Sequence, residues 1–169
     1  MKDPGFALKF ILLMLTQILL WNYFDFTQFL MIVFLPTLIL CLPIRRNAVY
    51  AMLLAFGTGF AVDFFSSGML GLTSAALVPV ALIRRGVITL VCGEEVFARG
   101  ENITIRRQGL PKMALAIMIV TALFLFIYIW ADGAGTRPFW FNAVKFGASL
   151  LAGTLVSLLA CNVLDSETR

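Results

Sequence analysis

The sequence predicts an all-α membrane protein, a bundle of six transmembrane helices with both termini in the cytoplasm. Three observations predict it. The 169 residues are 61% hydrophobic and 13% charged, with a mean hydropathy of +0.97. A soluble domain is about half apolar and about a quarter charged. The apolar residues also gather into six long runs without charge. Finally, the 13 Lys and Arg divide unevenly once the six runs are taken as spans. This composition excludes an ordinary soluble protein, a disordered chain and a nucleic-acid binder.

A spanning helix needs about 20 mostly apolar residues to cross a core of about 30 Å at about 1.5 Å per residue. The charge-free runs are 10–24, 26–44, 47–62, 64–83, 113–131 and 146–164. They place spans near 6–24, 28–44, 47–65, 69–84, 113–131 and 141–164, in one polytopic domain covering 1–169. Lys2 and Lys9 precede the first run, which ends in Trp21-Asn22-Tyr23 with no small-residue cleavage site. It reads as an uncleaved first helix. Pro36, Pro43 and Pro79 are kinks or ends of the kind that membrane helices tolerate.

Alternating spans put Lys2, Lys9, Arg45, Arg46 and Arg169 on one side, together with the basic loop 84–112. That loop carries Arg84, Arg85, Arg99, Arg106, Arg107 and Lys112. Only Arg137 and Lys145 fall on the other side. Cytoplasmic loops hold the excess of Lys and Arg, so the basic side is inside. Trp21, Trp130 and Trp140 then lie at outer ends, as interfacial aromatics do. The loop either only fixes topology or also forms a site for a specific partner or for anionic lipids, the latter worth about 1 kcal/mol per cation near the surface. The segment 86–93 within it continues helix four or lies in the interface.

Chemistry-bearing motifs are absent. There is no His, and therefore no ready general base or imidazole metal ligand. No phosphate loop, nucleophile elbow or metal-ligand cluster occurs, and neither an enzyme nor a cofactor is expected. Glu94 and Glu95 are adjacent and read as a solvated loop. Cys41, Cys92 and Cys161 form no CxxC and are expected as reduced thiols.

One constellation stands out. Asp63 is an acid between two long apolar runs, about 25 Å from Arg46 along a helix and thus near the outer boundary. Intramembrane carboxylates are expensive and tend to be functional. Its cost is offset if the start of helix four near Ser66, Ser67 and Gly68 presents free N–H groups to it. Asp63 would then tie helices three and four together. Alternatively it meets a partner's helix or a ligand. Small residues four apart (Ala55 and Gly59, Gly57 and Ala61, Ala143 and Gly147, Ala148 and Ala152, Gly153 and Ser157) allow close helix packing.

The stretch 54–72, LAFGTGFAVDFFSSGMLGL, resembles the signature of the MreD family of rod-shape-determining membrane proteins. Gly59, Asp63, Ser66 and Gly71 match that family's G-x-x-x-D-x-x-S-x-x-x-x-G run, with Gly68 between them. Length, short outer loops and a basic inner loop are similar along the chain. The resemblance implies a non-enzymatic inner-membrane component of the bacterial cell-elongation machinery that scaffolds or regulates peptidoglycan synthesis. Its implied partners are an MreC-like bitopic membrane protein and, through it, MreB, RodA and the elongation penicillin-binding protein. The family is also similar in fold to the six-helix S-components of vitamin transporters, so a substrate-binding transport component is the competing expectation. That reading needs several polar groups around a pocket, and Asn22, Asp25, Asp63, Ser66, Ser67 and Thr73 are the candidates.

Overall fold

The structure, a computed structural model, describes residues 4–23, 31–43, 47–66, 69–94, 109–133 and 139–165. Most of these residues are helical, and no strand occurs among them. The helices are α1 (Pro4–Tyr23), α2 (Leu35–Leu40), α3 (Ala48–Phe65), α4 (Leu72–Cys92), α5 (Leu110–Gly133) and α6 (Phe139–Asp165). Five of them, all but α2, are long and apolar enough to cross a membrane. Their outward faces are apolar as well, with Leu12, Leu53, Phe64, Leu90 and Leu155 among the exposed residues. Such a perimeter is compatible with a multi-pass membrane protein.

The second expected span is corrected. Within the expected 28–44, residues 31–34 are not helical and α2 covers only six residues. Pro36 supplies the reason. It sits in the first turn of α2, where its missing N–H costs nothing, but its ring would strike the carbonyl four residues back if the helix began earlier. That carbonyl belongs to Ile32. It turns to Gln17 instead, whose Nε2 donates to it at 3.0 Å, and Trp21 Nε1 donates to it at 3.2 Å. The same Gln17 accepts from the Phe34 N–H at 3.1 Å. Ser149 Oγ accepts from the Met31 N–H at 2.9 Å.

At the other end of α2, Arg84 donates from Nε to Leu40 O at 3.0 Å and from Nη2 to Leu42 O. Non-helical backbone inside an apolar bundle persists only where such partners satisfy it. All six α2 residues are buried, and the segment packs against every other helix. Gln17→Leu should therefore leave the Phe34 N–H unpaired at a cost of about 2–3 kcal/mol. A chemical-denaturation midpoint for the purified protein checks it; an unchanged midpoint would contradict the role given to Gln17.

The long helices form consecutive antiparallel neighbours from α3 to α6, and α1 closes the bundle. Lys9 Nζ donates to Val163 O at 2.9 Å, which sets the start of α1 against the end of α6. At the opposite end Asn22 Nδ2 donates to Phe65 O at 2.9 Å. Lys145 and Asp132 form an ion pair at 3.7 Å across α5 and α6 at that same end.

α2 and α6 run parallel. Met31 meets Ser149, Val33 lies beside Gly153, and the Cys41 and Cys161 sulfurs are 3.3 Å apart. The α6 residues Ser149, Gly153, Ser157 and Cys161 repeat every four positions and are all buried. They form the shallow groove in which the second segment lies. A methyl group on Gly153 would sit 3.2 Å from Val33 O and 3.4 Å from Thr121 Cγ2. Gly153→Ala should thus cost only about 1 kcal/mol, at the mild end of overpacking. A melting curve checks this, and wholesale unfolding would mean that the groove is tighter than described.

Candidate functional site

The hairpin of α3 and α4 holds Gly59, Asp63, Ser66 and Gly71 together. α3 ends at Ser66, whose N–H still bonds Val62 O at 2.9 Å while its backbone turns extended. The chain re-enters helix at Gly71, which has φ +92° and serves as the cap residue of α4. That conformation is open to glycine and strained for other residues. The start of α4 is therefore at Leu72, not at Ser66, Ser67 and Gly68 as the sequence suggested. Ser67 and Gly68 lie outside the described residues.

Asp63 is 4% exposed. It sits at the last turn of α3, where the helix dipole opposes its charge. The first turn of α4 compensates. Oδ2 accepts from the N–H groups of Gly71 at 2.9 Å, Thr73 at 3.0 Å and Ser74 at 3.4 Å, and Oδ1 shares the Thr73 N–H at 3.2 Å. These are N–H groups that no helical carbonyl can reach, and a carboxylate there gains from both the bonds and the α4 dipole. The acid thus caps its neighbour helix across the turn.

Close approach makes this cap possible. A methyl group on Gly59 would lie 2.6 Å from both Cα and N of Ser74. Ser74 Oγ in turn donates to Phe56 O at 3.2 Å. Ala55, one turn before Gly59, is fully buried. Of the small pairs expected to pack, Ala55 with Gly59 and Gly153 with Ser157 face inward. Gly57, Ala143 and Gly147 are exposed. Two hydroxyls beside the cap, Ser66 Oγ and Thr73 Oγ1, are buried without a hydrogen-bond partner among the described residues.

The basic loop divides differently from the expectation. Arg84 and Arg85 are not loop residues, because α4 continues through Gly86 to Cys92. The segment 86–93 is accordingly helix up to Cys92. Arg84 is 4% exposed and clamps the end of α2. A cation can stand there because carbonyls at a helix C-terminus carry negative partial charge. Arg85 is exposed on α4, and Lys112 is exposed in the first turn of α5. Arg99, Arg106 and Arg107 lie outside the described residues. Lys112 borders an open groove of about 370 Å³ lined by Leu90, Val91, Pro111 and Leu115.

Sequence reasoning did not single out Gln17, Ser149 or the Cys41–Cys161 contact. Gln17 was visible as a polar residue in a charge-free run. The four-residue repeat of Ser149, Gly153, Ser157 and Cys161 was visible too, although only its Gly153–Ser157 part was picked out. No group of three or more metal-ligating residues occurs among the described residues. Comparisons with protein-family models, with curated proteins and with solved structures find no match to this chain.

Proposed function

We propose that the chain is a non-enzymatic, multi-pass component of the bacterial inner membrane that scaffolds or regulates peptidoglycan synthesis during cell elongation. The observation that carries this reading is the hairpin itself. The residues that resemble the MreD signature lie in one hairpin: Gly59 lets Ser74 approach α3, Asp63 accepts from the Gly71 N–H, and Ser66 and Gly71 stand at the end of α3 and the start of α4. A signature whose residues shape a turn suits a protein that presents a fixed surface to partners. In this reading both termini and the basic segment after α4 are cytoplasmic, and the ends carrying Trp130 and Trp140 face outward.

An MreC-like bitopic protein is the direct partner in this proposal. MreB, RodA and the elongation penicillin-binding protein are reached through it, and anionic lipids meet the basic side. A vitamin-type transport component is the second reading. It is favoured by Asn22 and Asp63 lying at one end of the bundle. Against it, both groups are engaged within the chain, by Phe65 O and by the α4 N–H groups.

Depletion of the protein in its own bacterium tests the proposal. Rod-shaped cells should widen and round up as the protein is lost, while uptake of vitamins stays normal. Unchanged shape with failed uptake would overturn it.

A further inference from the structure

We infer that Cys41 and Cys161 form an oxidisable dithiol, a modification site that covalently joins the second segment to the last helix. The two sulfurs are 3.3 Å apart and come from residues 120 positions apart in the chain. A disulfide needs about 2.05 Å between sulfurs, and the two sulfurs already stand in contact at 3.3 Å. Both side chains are buried, Cys41 at 7% exposure and Cys161 at 1%.

The surrounding contacts hold the pair in register. Arg84 bonds the carbonyls of Leu40 and Leu42, the residues on either side of Cys41. The parallel seam of Met31 with Ser149 and Val33 with Gly153 fixes α2 against α6 two turns away. Arg84 is in this sense a positioning residue. Cys92 lies on α4 as a separate thiol.

The reactant is hydrogen peroxide. One thiol takes the electrophilic oxygen and becomes a sulfenic acid while the peroxide leaves as water. The second thiol then attacks that sulfur, forms the S–S bond and releases a second water. Two thiols are oxidised, one peroxide is reduced, and the two thiol hydrogens leave in the two waters. The product ties the short α2 to α6 at the end of the bundle where α1 starts.

The test uses the full chain in lipid nanodiscs, treated with hydrogen peroxide, then denatured and alkylated. The expected result is loss of two of the three alkylatable thiols, a linked peptide pair containing Cys41 and Cys161, and a raised melting midpoint that a reductant reverses. Cys92→Ala should behave as the native chain does, with a single thiol fewer to label. Cys41→Ala and Cys161→Ala should each abolish the linked pair and the midpoint shift. If Arg84 positions the pair, Arg84→Gln should slow disulfide formation several-fold while the untreated midpoint still reports a folded bundle. Three alkylatable thiols after treatment, or a linked peptide containing Cys92, would overturn the inference.

Discussion

Gly59→Val is expected to unfold the α3–α4 hairpin in purified protein. A single methyl group at this position already lies 2.6 Å from two backbone atoms of Ser74. Backbone cannot rotate away as a flexible side chain can. The helices must separate, and separation breaks the Ser74 bond to Phe56 O and pulls the α4 N–H groups off Asp63. Overpacking of cores costs about 1–3 kcal/mol and occasionally more, and here the lost cap adds to it. A denaturation midpoint lowered by more than about 3 kcal/mol equivalent is expected. Gly57→Ala is the matched control, since nothing lies within 4 Å of a methyl group there. Alanine in place of an exposed helical glycine should stabilise by about 0.5–1 kcal/mol. Opposite signs two residues apart on one helix would locate the packed face; equal effects would contradict it.

Asp63→Leu is expected to be nearly as damaging, for a different reason. The substitution keeps bulk but removes the acceptor of the Gly71, Thr73 and Ser74 N–H groups. Each buried donor left without a partner costs about 1–3 kcal/mol. The combined loss should reach about 3–5 kcal/mol, the range seen when one partner of a buried charged network is removed. Asp63→Asn retains one carbonyl oxygen and should recover part of that loss. Glu94→Ala, at an exposed position after α4, should leave the midpoint unchanged. If Asp63→Leu melts as the native chain does, the hairpin does not depend on this cap.

Composition and run length were enough to read the helical, apolar character of the chain, because both follow from the solvent the helices must face. Helix ends were less legible wherever a polar group is satisfied by something distant in sequence. Arg84 looked like a membrane boundary because a charge usually ends a span. Its guanidinium is instead taken up by Leu40 and Leu42 carbonyls, so α4 runs eight residues further. Residues 26–44 looked like one helix because they are apolar. The break ahead of Pro36 is sustained by Gln17 and Trp21, which no local pattern connects to Ile32.

Asp63 was legible as an anomaly, an acid within apolar sequence. Its partners were placed a few residues too early, since a glycine at φ +92° is not visible in the sequence. The resemblance in 54–72 and the geometry meet at the same residues, which is why the functional proposal rests there.

Affinity capture of the intact tagged chain from solubilised membranes of its own bacterium, followed by mass spectrometry, tests that proposal most directly. The account predicts recovery of an MreC-like bitopic protein together with the wall-synthesis enzymes, in amounts well above those from a tagged unrelated membrane protein. Recovery of an ATPase and a transport subunit in their place would contradict it.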